Sequence, residues 1–196
     1  MLKKRRSAPE RLAQPKEICY NNEEIRSALR TSFTAEDVLC CRELLRLGVP
    51  EPLRRRLDAA LEREDPLSDL VLSLSFCASD AERLTALNEF LWAVPADRMD
   101  VPGAFRILLD ELRVLRADGE KTPDELAYMM YAITRDTLLP PAVPCGMPFF
   151  QTDDPLLWDM YRLGCIFDEI PYLGDRETAV RLFDTLLTEG RLPENT

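Results

Sequence analysis

The sequence predicts an all-α protein, folded as a single compact bundle of about eight or nine short helices. Helix-start signatures recur along the chain, each with a Ser, Thr or Asp oxygen that can cap first-turn amides and an acid or proline close behind it. Apolar residues then recur at the helical period, and no stretch alternates as a strand does. The signatures are Thr34-Ala35-Glu36-Asp37, Asp65-Pro66, Ser79-Asp80-Ala81-Glu82, Thr122-Pro123-Asp124-Glu125, Asp154-Pro155 and Asp175-Arg176-Glu177.

The apolar spacing assigns the helices in chain order. We expect them at about 22–33, 34–47, 52–61, 66–78, 79–94, 105–118, 122–137, 156–167 and 175–187. The segment 66–78 is apolar on nearly all sides, so we place it at the centre of the bundle. The residues expected to be buried together are Leu70, Leu74, Phe90, Leu108, Ile133, Phe167 and Phe183. The paired starts Asp65-Pro66-Leu67 and Asp154-Pro155-Leu156 leave a duplicated helical hairpin as an alternative arrangement.

The chain divides into a tail and a body. Residues 1–21 are polar, basic at their start and punctuated by proline, so we expect a disordered tail, with a single helical domain over 22–196. Of the 25 basic and 35 acidic residues, six basic and two acidic lie in residues 1–17, which puts the tail at +4 and the remainder at −14. An acidic body repels nucleic acid at long range.

Residue usage excludes several kinds of chemistry. The chain has no histidine, which rules out histidine-based triads, H-E-x-x-H metal sites and histidine pH switches. The six cysteines form no C-x-x-C pair, so we expect reduced thiols and no structural zinc. The basic residues after Met1 precede no apolar core, and the longest apolar runs are too short to cross a bilayer. We therefore expect a cytoplasmic protein with no membrane contact and no cofactor.

Three consecutive arginines break a local rule. Arg54, Arg55 and Arg56 fall in the first turn of a predicted helix, where the helix dipole is positive and acids are expected. Local rules are broken most often at functional or strained sites, so the triplet is a predicted contact patch for phosphate or an acidic partner. The alternative is surface pairing with nearby acids of the same helix and the loop behind it, namely Asp58, Glu62 and Asp65.

The segment around the triplet suggests a second interpretation. Residues 42–57, with a helix end at Leu47-Gly48-Val49 and a restart soon after, resemble the helix-turn-helix of bacterial DNA-binding domains. The resemblance implies a recognition helix that would bind DNA together with the basic tail. The pattern departs from that family because Pro52 stands at the start of the recognition helix and Leu53 lies one residue too close to Gly48.

A proline-rich segment interrupts the helices at 138–153. Its prolines forbid a helix, while its apolar content is too high for a solvated linker. Met147, Phe149 and Phe150 could therefore form an adaptable hydrophobic contact surface, or a lid over the core.

Three hypotheses for function follow. The first is a non-enzymatic protein that acts by binding another protein, as a regulator or adaptor, through the arginine triplet or the segment 138–153. The second is the DNA-binding regulator described above. The third is an enzyme that uses paired carboxylates, such as Asp110-Glu111 or Asp168-Glu169, with a divalent metal.

Overall fold

The computed structural model describes residues 31–95, 98–136, 154–173 and 175–193, and over these residues the chain forms eight α-helices and no strand. The all-α prediction is confirmed. The helices are α1 Ala35–Arg46, α2 Glu51–Arg63, α3 Asp69–Phe76, α4 Asp80–Ala93, α5 Val101–Asp118, α6 Pro123–Asp136, α7 Pro155–Leu173 and α8 Arg176–Glu189.

The predicted caps account for most of the helix boundaries. Thr34 and Asp37 form a reciprocal capping box at the start of α1. Ser79 accepts a hydrogen bond from the third amide of α4, and Asp175 caps α8 in a similar way. Behind α1, Gly48 has a φ of +78°, a conformation that glycine adopts without steric cost. These elements therefore begin and end where local chemistry requires.

The predicted helix start at Asp65-Pro66 is wrong. Helix α3 begins three residues later, at Asp69, and Ser68 is its N-cap. The cause lies in Glu64, whose carboxylate accepts hydrogen bonds from the amides of Ser68 and Ser32 and from the hydroxyl of Thr31. This carboxylate holds the loop 64–68 against residues 31–32, and the helix begins after that loop.

Helix α3 is also not the buried centre that its composition predicts. Only Leu70, Val71 and Leu74 are buried, whereas Leu72 is 38% exposed and Phe76 is 83% exposed. Among the described elements, the helix packs mainly against α2 and α4, through its buried side. Its outer face, which we call the α3 apolar face, consists of Leu72 and Phe76 and faces solvent.

In the described part of the chain, the buried apolar residues form two hydrophobic clusters rather than the single one expected. Leu70, Leu74 and Phe90 lie in a cluster built mainly from α1 to α4. Leu108, Ile133 and Phe183 lie in a second cluster built mainly from α5 to α8, and Phe167 is only partly buried at its edge. The seven predicted core residues are therefore not buried together.

Helix α1 lies between the two clusters. Its residues 38–45 are all buried, and Cys41 faces the first cluster while Cys40 faces the second. This burial includes one ion pair, in which Arg42 donates two hydrogen bonds to Glu43 and one to Asn88 of α4. The charges satisfy each other, so α1 can be buried on all sides without an isolated charge.

Some predictions fall outside the described residues. The tail 1–21, most of the predicted helix 22–33 and the segment 138–153 all do so. Residues 31–33, the end of that predicted helix, are not helical, although Phe33 is buried in the first cluster. Among the helices of the described part of the chain, none combines the length and apolar character needed to span a membrane.

Candidate functional site

The arginine triplet lies at the start of α2, facing α5. The three side chains differ in their partners. Arg55 and Arg56 both bind the Glu111 carboxylate of α5, Arg56 through an Nη1 to Oε1 distance of 2.6 Å. Arg56 also donates from Nε to Asp37 of α1 at 3.0 Å. Among the described residues, Arg54 pairs with Glu51 of its own helix, at 3.6 Å, and it is largely exposed.

Glu111 therefore explains why arginines are tolerated in this first turn. Its side chain is buried, with a residue exposure of 8%, and each oxygen receives one guanidinium. A buried carboxylate needs such compensation, because an unpaired charge in the interior is costly. The triplet thus pairs chiefly with α1 and α5, rather than with the three nearby acids named above. Arg56 is mostly occupied inside the fold, which leaves Arg54 and Arg55 as its outward-facing members.

The cleft beside these two arginines is acidic. It has a volume of about 230 Å³ and lies between α2 and α5. Two guanidiniums, those of Arg54 and Arg55, face five carboxylates on its walls. This balance disfavours a phosphate or another anion. The five carboxylates are those of Glu51, Asp58, Glu111, Asp118 and Glu120.

Two buried thiols lie close to the arginine and carboxylate cluster. Burial raises the pKa of Cys41 to about 12, although the charge of Arg56 acts in the opposite direction. Burial also raises the pKa of Cys40, and the neighbouring Cys41 adds to the shift. Both thiols are therefore protonated at neutral pH, and neither is activated as a nucleophile or metal ligand. Within the described ranges, no group of three or more Cys, Asp or Glu side chains is arranged to hold a metal ion.

A different surface, on α6 and α7, gathers aromatic side chains. On α6, Tyr128, Tyr131 and Arg135 follow one another at spacings of three and four residues, which places them on one helix face. The guanidinium of Arg135 lies 4.9 Å from the centroid of the Tyr131 ring, within the range of a cation–π contact. The opposite face of α6, including Met130 and Ile133, is buried.

Helix α7 supplies the second half of this surface. Trp158 and Tyr161 lie three residues apart on one face. The rings of Tyr161 and Tyr131 stack with centroids 5.5 Å apart and an interplanar angle of 27°. The helices can approach this closely because Gly164 has no side chain: a Cβ there would lie 2.4 Å from the Cβ of Tyr131.

We call the side chains of Tyr128, Tyr131, Arg135, Trp158 and Tyr161 the α6–α7 aromatic surface. Its outer members remain accessible, with Tyr128 66% and Trp158 42% exposed. Tyrosine, tryptophan and arginine are the residue types enriched at the centres of protein interfaces. The surface is continuous, since each member neighbours the next through helical spacing or ring stacking.

The sequence reasoning missed this surface. Trp158 and Tyr161 fall within the predicted helix 156–167, and the sequence analysis gives them no role in binding. One feature of the sequence indicates this surface: two helices each carry a pair of aromatic residues three positions apart. These pairs are Tyr128 with Tyr131 and Trp158 with Tyr161. The predicted contact residues Met147, Phe149 and Phe150 lie outside the described residues, in the segment that joins these same two helices.

The chain was also compared with known proteins. No protein-family model, no curated protein and no solved structure matches it.

Proposed function

We propose that this is a non-enzymatic protein that acts by binding another protein through the α6–α7 aromatic surface. The observation that carries the proposal is the exposure of Tyr128 and Trp158 on either side of the stacked pair of Tyr131 and Tyr161. Isolated exposed apolar residues are ordinary, but a continuous aromatic patch is typical of a protein contact.

The arrangement also supports a specific kind of contact. The stacking of Tyr131 on Tyr161 and the placement of Arg135 over Tyr131 hold the middle of the surface in one conformation. A surface ordered before binding loses little side-chain entropy when the partner arrives. We expect the partner to insert apolar side chains between the exposed rings, with the segment 138–153 contributing Met147, Phe149 and Phe150 at the same contact.

Site-specific photo-crosslinking in cells tests the proposal. The full chain carries p-benzoylphenylalanine in place of Tyr128 in one variant and Trp158 in a second. We expect both positions to capture the same protein, because they border one surface. The variant Tyr131→Ser should reduce this capture from either position, since it removes the stacked ring between them.

Trp92 provides the matched control. It is a tryptophan on α4 with 67% exposure, far from the α6–α7 pair in the sequence. We expect a photo-crosslinker at position 92 to capture a different set of proteins or none. Capture of unrelated proteins from positions 128 and 158, or of the same protein from position 92, would contradict a binding site on α6 and α7.

A further inference from the structure

Helices α6 and α7 run antiparallel beneath the α6–α7 aromatic surface. Halfway along the two helices, the ring of Tyr131 stacks on that of Tyr161. In the first turn of α6, Asp124 pairs with Arg176, which lies three residues beyond the last residue of α7. The start of α6 is therefore close to the end of α7, so the two helices point in opposite directions.

The outer face of α6 carries opposite charges at its two ends. Four side chains follow one another at spacings of three, three and four residues, which places them on one side of the helix. They are Glu125, Tyr128, Tyr131 and Arg135. Glu125 and Arg135 are both exposed, and they lie about 15 Å apart along the helix axis. The face thus runs from an acid, past two tyrosine rings, to a guanidinium.

Contacts within α6 hold both charged side chains in place. One oxygen of Glu125 accepts hydrogen bonds from the amide and the hydroxyl of Thr122, so it takes part in the helix cap. Its other oxygen lies 3.9 Å from Nζ of Lys121, and 53% of the Glu125 side chain is exposed. The guanidinium of Arg135 lies over the ring of Tyr131. Charges that are already held in position lose little entropy when they pair with a partner.

We propose that the protein bound at the α6–α7 aromatic surface is a second copy of this chain, an inference that rests on the function proposed above. The charges on the outer face of α6 complement those of the same face in reverse. When two copies of α6 pack face to face in opposite directions, Arg135 of each copy meets Glu125 of the other. The two-fold axis then passes near position 130, so Tyr128 of each copy meets the turn that carries Tyr131 in the other. Each contact away from the axis occurs twice, because the interface is symmetric.

Sedimentation equilibrium of the purified full chain tests the proposal. We expect a concentration-dependent equilibrium between monomer and dimer. Tyr128→Ser should raise the Kd of the dimer about tenfold or more, because Tyr128 lies in the interface. Trp92→Ser is the matched control, since Trp92 is 67% exposed and Tyr128 is 66% exposed, and it should leave the Kd unchanged. A chain that stays monomeric at about 1 mM, or a dimer that Tyr128→Ser does not weaken, would overturn the proposal.

Reversing the charges gives a second test that does not depend on Tyr128. Glu125→Lys and Arg135→Glu each bring like charges together at both ends of the interface, so each variant alone should be monomeric where the parent chain is dimeric. In an equimolar mixture of the two variants, every such contact again joins opposite charges, and the dimer should return. The control Glu62→Lys makes the same charge change at an exposed site on α2 and should leave the parent dimer intact.

Circular dichroism of each variant checks that the helices are retained, because Glu125→Lys removes one half of the cap at Thr122. A mixture of folded variants that stays monomeric would overturn the pairing of Arg135 with Glu125.

The outcomes separate this inference from the proposed function. If the purified chain is monomeric while positions 128 and 158 still capture one other protein in cells, the second copy is wrong and the aromatic binding surface stands. If the inference is right, p-benzoylphenylalanine at position 128 cross-links two copies of the purified chain, and the same substitution at position 92 does not.

Discussion

The buried carboxylate of Glu111 gives the most direct test of how the arginine triplet is held. The variant Glu111→Gln keeps the size of the side chain and removes its charge. Glutamine can still accept a hydrogen bond, but it offers the guanidiniums of Arg55 and Arg56 no opposite charge. We expect the free energy of unfolding to fall.

The magnitude follows from the partners that remain. Removing one member of a buried ion pair typically costs about 3–5 kcal/mol. Here the loss is smaller, because Arg56 keeps Asp37 at 3.0 Å and the half-exposed Arg55 can turn towards water. We expect a loss of about 2 kcal/mol, or roughly 4–8 °C in Tm for a chain of this size.

Urea unfolding followed by circular dichroism measures this difference. The matched control is Glu51→Gln, which removes an exposed carboxylate 3.6 Å from Arg54 and should change stability by less than about 0.5 kcal/mol. Equal stability of Glu111→Gln and the parent chain, at unchanged m-value, would refute the claim that Glu111 compensates the arginines.

Three further predictions concern other parts of the molecule. Leu74→Ala should destabilise the chain by about 2–5 kcal/mol, because Leu74 is fully buried. Leu72→Ala, on the exposed side of the same helix, should cost under about 1 kcal/mol. Equal losses in urea unfolding would show that α3 is oriented differently. Partial burial acts to raise the pKa of Glu64, but the amides of Ser32 and Ser68 outweigh it and lower that pKa to about 2. The resulting stabilisation is complete above the unfolded pKa of about 4.5 and is lost as the pH falls towards 2. Glu64→Gln should therefore flatten the dependence of the free energy of unfolding on pH between these values. An unchanged slope would contradict a lowered pKa at Glu64. Finally, we expect no salt-sensitive binding of duplex DNA at low ionic strength, because five carboxylates surround Arg54 and Arg55. Binding that weakens steeply with added salt would instead support the helix-turn-helix interpretation.

The limits of sequence reasoning are clearest at the arginine triplet. The sequence shows that Arg54, Arg55 and Arg56 stand where a helix favours acids, and this oddity is a local property. It cannot show the compensating carboxylate, because Glu111 lies 55 residues beyond Arg56 and reaches it only when α2 packs against α5. A separation of 30 residues likewise hides the stacking of Tyr131 on Tyr161.

The sequence by itself determined the all-α class and most of the helix boundaries. Caps such as those at Thr34 and Ser79 involve atoms within three residues, so their chemistry is complete before any helix packs. Only the tertiary structure decided which apolar faces are covered. Helix α3 is apolar on nearly all sides, and its composition cannot reveal that the described neighbours cover Leu74 and leave Phe76 exposed. Burial depends on the number and placement of packed neighbours, which no local pattern contains.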